Sequence, residues 1–146
     1  MKLTIITILA LLAAAPVWAH KVDLLLLRTV ICDYETRGLG VYRDTAHIGD
    51  HGEVGRCQVR ASTARTLGHD GQDAMLIFPL INLYWASKVL DDCYRVGRRG
   101  AYEIAYCYIG GPGSRPYVNG PTSKLRRYAK IIAVEYAEKV RQRQWD

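Results

Sequence analysis

The chain has 146 residues, 20 Lys and Arg against 14 Asp and Glu, and a net charge of +6. That length gives one domain with a single sizeable core, and the charge favours anionic partners such as cell-wall polymer, nucleic acid or acidic lipid. The cations are scattered apart from Arg98-Arg99 and the group Lys124, Arg126, Arg127, so the concentrated basic stripe of a nucleic-acid-binding module is missing.

At the start, Lys2 precedes an apolar run from Leu3 to Ala15, then Pro16 and the small residues Val17 and Ala19 around Trp18. This predicts a signal peptide over residues 1–19, cut after Ala19. Its apolar core falls short of the roughly 20 residues a membrane-crossing helix needs, so no stable membrane insertion is expected. Residues 20–146 remain as one mature domain of 127 residues (146 − 19), with a charge of +5 once Lys2 is lost. All four cysteines, Cys32, Cys57, Cys93 and Cys107, lie in that part. An even number in a chain sent to an oxidising compartment predicts two disulfides, with three pairings possible. There is no Cys-x-x-Cys and no Cys/His ligand spacing, so neither a metal nor any other cofactor is expected.

In chain order, Asp23 to Arg37 reads as a largely buried helix stopped by Gly38 and Gly40, with Glu35 in its last turn. Leu39 to Glu53 reads as loop or a short hairpin around the turn Gly49-Asp50-His51-Gly52. Ser62 or Thr63 is the expected cap of a short helix ending at Gly68. Pro79 suits a first helical position, and Leu83, Ala86, Leu90 and Cys93 continue that helix until Gly97 to Gly100 end it. A further helix runs from Ala101 to about Ile109, closed by Gly110, Gly111, Pro112 and Gly113. The last begins at Pro121 and Thr122 and carries Leu125, Tyr128, Ala129, Ile132, Tyr136 and Val140 on one stripe. Five helices with one irregular middle segment make a mostly α domain.

Most glutamates at helix ends are ordinary surface residues. Glu35 stands at the end of an apolar helix, a position that allows its carboxyl to sit at the lip of a cleft with one side against the core, where partial desolvation would raise its pKa and keep a fraction protonated as a general acid requires. Twenty positions on comes Gly55-Arg56-Cys57-Gln58, followed by the Ser62-Thr63-Ala64 segment. Phe78-Pro79-Leu80-Ile81-Asn82-Leu83 comes next, and then Cys107-Tyr108-Ile109-Gly110-Gly111-Pro112-Gly113. These four pieces, in this order, resemble the lytic transglycosylase (SLT domain) family of lysozyme-like fold, over residues 28 to 137. They correspond to its catalytic Glu-Ser pair, its glycine-x-x-glutamine signature, its proline-x-x-asparagine segment and its alanine-tyrosine-asparagine-x-glycine-proline-glycine stretch.

The resemblance implies an α+β lysozyme-like domain in which Glu35 is the catalytic acid and base. Thr36, Gly55, Gln58 and Tyr108 would bind substrate, with Gly55 allowing close approach of a sugar and the Tyr108 hydroxyl bonding the glutamate. Asn82 would be structural. It implies cleavage of the N-acetylmuramic acid β-1,4 N-acetylglucosamine bond of peptidoglycan, with a 1,6-anhydro product and no cofactor. The expected location is the periplasm, where small members of the family serve secretion, pilus or conjugation machines. Thr36 stands for the family serine, Cys57 for a methionine and Ile109 for an asparagine. Tyr106 takes the place of Tyr108 if the register slips by two. A hydrolytic lysozyme on the same fold, using Asp44, Asp50 or Glu53 as second carboxylate, is the nearest alternative. A wall-binding or assembly protein without activity is the next.

Overall fold

The computed structural model describes residues 21–37, 47–114 and 123–144. The expected signal peptide, Gly38, Gly40, Asp44, Pro121, Thr122 and the terminal Trp145-Asp146 lie outside them. Helix α1 (Leu24–Glu35) opens where the Asp23 carboxylate accepts a 2.9 Å hydrogen bond from the Leu26 N–H. Leu27, Val30 and Ile31 recur at helical spacing and are wholly buried, each stabilising the fold by roughly 1.5–3 kcal/mol.

The middle segment is a small antiparallel ribbon. Ile48 bridges to Val54 across the Gly49–Gly52 turn, as the hairpin reading expected, and β1 (Glu53–Val54) then pairs with β2 (Val59–Arg60) in the register Glu53 to Arg60. Helix α2 (Ala61–Thr66) follows without a break, and here the expected Ser62 or Thr63 cap is corrected. The chain passes straight from the extended Arg60 into the helix, so Arg60 is the cap position, no side chain caps it, and Ser62 and Thr63 lie inside the first turn. A 3-10 turn (Asp73–Ile77) leads into α3 (Pro79–Arg95), with proline at its first turn as expected. Helices α4 (Ala101–Gly110) and α5 (Ser123–Arg143) complete the described chain.

The fold is mostly helical, with one two-stranded sheet. Helix α5 lies along α4 and α1, burying Tyr128, Ala129 and Ile132 of its apolar stripe, while the ribbon packs on Trp85 and Ala86 of α3. Two disulfides pair the four cysteines: Cys32 with Cys57, joining α1 to the ribbon, and Cys93 with Cys107, joining α3 to α4. Among the described residues no helix is long and apolar enough to cross a membrane.

Candidate active site

Where the end of α1, the ribbon and the α4 and α5 helices meet, they enclose a cleft of about 730 Å³ lined by Glu35, Gln58, Tyr108 and Tyr128, with Glu53 and His47 on the ribbon side. Glu35 is half-buried at the end of α1, where the carbonyl ends of the helix also disfavour a negative charge. Its carboxyl is held above the ordinary glutamate value, first by burial and further by the negative charge of Glu53, while Tyr128 pulls the other way. The Tyr128 hydroxyl is buried and meets no acceptor at full hydrogen-bond geometry. The group it approaches is the Glu35 carboxyl, and the contact favours the carboxylate without completing a hydrogen bond. Tyr34 stands edge-on against the Tyr128 ring with centroids 5.3 Å apart, which holds the phenol in place.

Tyr108 lines the cleft, whereas Tyr106 is a core residue that is 1% exposed, so of the two it is Tyr108 that reaches the site. The expected bond from Tyr108 to the glutamate is corrected: its hydroxyl donates to the Cys57 carbonyl at 2.7 Å, because the disulfide draws that peptide up against α1 and α4. Tyr108 still feels the Glu35 charge, which together with burial raises its own pKa.

Gln58 sits in the cleft with φ of +50°, a left-handed conformation that disfavours any residue with a side chain. Its amide nitrogen donates to the Gly55 carbonyl at 2.8 Å and the His47 carbonyl at 3.3 Å, so the expected donor is taken up by the ribbon. The amide oxygen remains, lying so close to Gly49 that a Cβ there would meet it at 2.5 Å. What Gln58 offers a ligand is therefore an acceptor.

Two expected substrate contacts are placed elsewhere. Thr36 is 1% exposed and its hydroxyl donates back to the Cys32 carbonyl at 2.9 Å, which closes the end of α1. Gly55 (φ +73°) faces the interior: a Cβ there would meet the Asn82 amide nitrogen at 2.6 Å, so glycine is needed for the polar core and not for sugar approach. Asn82 is structural as expected. Wholly buried, it accepts from the Cys57 N–H at 2.7 Å and donates to the Val54 carbonyl at 2.7 Å and the Leu76 carbonyl at 2.8 Å, locking the turn that carries Gln58.

Glu53 shares the cleft and is the opposite of Glu35 in its titration. Burial pushes its carboxyl up, but hydrogen bonds from Arg60 (2.8 Å from Nε) and from the His51 N–H (3.0 Å) outweigh this and lower it. One carboxyl inclined to keep its proton and another inclined to lose it, in one cleft, is the arrangement acid–base chemistry uses. Tyr128 and Tyr34 were not singled out as site residues in the sequence. The signal for Tyr128 was a phenol in the middle of an apolar stripe, since a buried tyrosine hydroxyl needs a polar neighbour. Among the described residues no cluster of His, Cys, Asp or Glu has the form of a metal site. No protein-family model matches the chain, and neither the curated proteins nor the solved structures yield a match.

Proposed function

We propose that this chain is an exported enzyme of the periplasm that cleaves peptidoglycan glycan strands as a lysozyme-like lytic transglycosylase, with Glu35 as the single acid and base. The observation that carries the proposal is a glutamate with a raised pKa lining a cleft together with the buried Tyr128, the half-buried Tyr108 and a glutamine acceptor. Protonated Glu35 donates to the glycosidic oxygen as the bond to the leaving N-acetylglucosamine breaks. As carboxylate it then takes the proton of the muramoyl 6-hydroxyl, whose oxygen closes the anhydro ring on the anomeric carbon. Gln58 accepts from an acetamido N–H or a hydroxyl, and Tyr128 steadies the carboxylate form between the two transfers. Two disulfides suit an oxidising compartment.

A hydrolytic outcome on the same site is the second reading, and Glu53 favours it, because it puts a second carboxyl, inclined to ionise, in the lining of the same cleft, and retaining and inverting glycosidases use such a pair. Purified sacculi decide between them. The parent protein is expected to release soluble muropeptides ending in the 1,6-anhydro sugar, and Glu35→Gln to lose about 10²-fold or more of that release. Ordinary reducing ends would establish the lysozyme. Unchanged release by Glu35→Gln would refute both, and binding without release by the parent would mark a non-catalytic wall protein.

A further inference from the structure

The charges lining the cleft are unevenly paired. On the ribbon side Arg60 is engaged with Glu53 at 2.6 Å, and Glu35 is inclined toward its neutral form. On the α5 side Lys124 and Arg127 line the same cleft, are exposed, and have no carboxylate within ion-pair distance among the described residues. Asp50, the remaining acid of the lining, belongs to the Gly49–Gly52 turn of the ribbon.

Lys124 and Arg127 are three positions apart and so share a helix face, and Lys124 lies one turn before Tyr128, the residue that approaches Glu35. Like charges at this spacing repel, and they fall in the early turns of α5, the end where the helix dipole disfavours cations, with no acidic residue in the first turn to offset them. For the free protein the arrangement is unfavourable twice over. It becomes favourable when an anion enters the cleft.

We infer that Lys124 and Arg127 form a receptor for carboxylates of the acyl branch on the muramoyl sugar, so that the cleft selects strands bearing an anionic branch over neutral polysaccharide of the same linkage. The inference rests on the peptidoglycan reading and names the part of that substrate the α5 wall recognises. A planar guanidinium and an ammonium one turn apart suit two oxygens of one carboxylate or two neighbouring carboxylates.

The test compares soluble glycan strands carrying peptide stems with the same strands after carbodiimide amidation, which turns each carboxylate into a neutral carboxamide and leaves the sugar backbone intact. Affinity is measured with Glu35→Gln, which cannot consume the strand, and turnover with the parent. Native strands are expected to bind Glu35→Gln about threefold to tenfold more tightly than amidated ones, from two partly solvated ion pairs, and the difference is expected to shrink as salt screens it. Adding Lys124→Gln and Arg127→Gln should lower affinity for native strands by the same factor and abolish the discrimination; the same pair in the parent should raise KM and leave kcat nearly unchanged. Equal binding of native and amidated strands, discrimination that survives the double substitution, or no binding of native strands would each overturn the receptor. If the strands bind with the expected discrimination but the parent never cleaves them, the catalytic reading fails and the receptor stands.

Discussion

Replacing Asn82 with alanine removes a side chain that touches no ligand, yet it should damage both the fold and the cleft. Three hydrogen bonds of 2.7–2.8 Å vanish together, leaving the Cys57 N–H and the Val54 and Leu76 carbonyls without that partner in the interior. At about 1–2 kcal/mol for each buried group abandoned, the expected loss is roughly 3–6 kcal/mol, a large part of the ~5–15 kcal/mol that holds a domain of this size. The assay is equilibrium urea unfolding with both disulfides intact, and the expected result is a lower midpoint at an unchanged slope. Asn82→Asp sharpens the test, since it keeps an acceptor for Cys57 but turns a carboxylate oxygen toward the two carbonyls. It should be at least as damaging at neutral pH and should recover partly on acidification, when a protonated carboxyl donates again. A loss below about 1 kcal/mol for Asn82→Ala would refute the reasoning, because it would mean that the abandoned groups find other partners at little cost.

The two groups that bear on Glu35 act with opposite signs, so their removal should shift its titration in opposite directions. Tyr128→Phe takes away what lowers the pKa and should move it up, Glu53→Gln takes away a like charge and should move it down, and NMR of the glutamate carboxyl carbon reads both without any activity. Because the folded pKa of Glu35 lies above its unfolded value of 4.5, the folded state holds its proton longer, and parent stability falls as pH rises from there through the folded pKa. Glu35→Gln should therefore gain in melting temperature relative to the parent across that window and show a constant difference on either side of it. Opening the disulfides should cost about 3.5 kcal/mol for the 25-residue separation of Cys32 and Cys57 and about 3 kcal/mol for the 14-residue separation of Cys93 and Cys107. Only the first should also weaken binding in the cleft, since it alone tethers the Gln58 turn; paired Cys→Ser variants measured by unfolding and by strand binding check this.

The helices were legible because their signals are local. Apolar residues at spacings of three and four, Pro79 at a first turn and glycines past the ends placed α1, α3, α4 and α5 close to where they lie. The cap of α2 was misread because Ser62 and Thr63 are good capping residues by type, while the strand before them decided where the helix begins. Disulfide pairing stayed open because it depends on which elements end up adjacent. The placement of α1 beside the ribbon chose Cys32 with Cys57.

The family resemblance pointed to Glu35, Gln58 and Tyr108, which line one cleft, and to Asn82, which lies in the interior, but it did not say what each side chain would be bonded to. The glycine of a motif was taken for the one that borders the ligand, whereas Gly55 makes room for Asn82 and it is Gly49, read only as part of a turn, whose missing side chain leaves space for Gln58 and Glu53. Tyr108 was assigned the glutamate, but its hydroxyl is held by the Cys57 carbonyl, and Tyr128, 93 residues after Glu35, comes to the carboxyl instead.

The different fates of the two cleft carboxyls follow from where the chain places donors. Glu53 lies on a ribbon whose turn supplies a free N–H from His51 and whose paired strand supplies Arg60 directly opposite, so it is ionised at little cost. Glu35 ends a helix, where the neighbouring backbone groups are carbonyls, and among the described residues the phenol that approaches it, Tyr128, does not complete a hydrogen bond. A cation set beside Glu35 as Arg60 is set beside Glu53 would erase that difference. An acid so paired would be held as its carboxylate, and in the proposed mechanism the proton for the glycosidic oxygen would no longer be there.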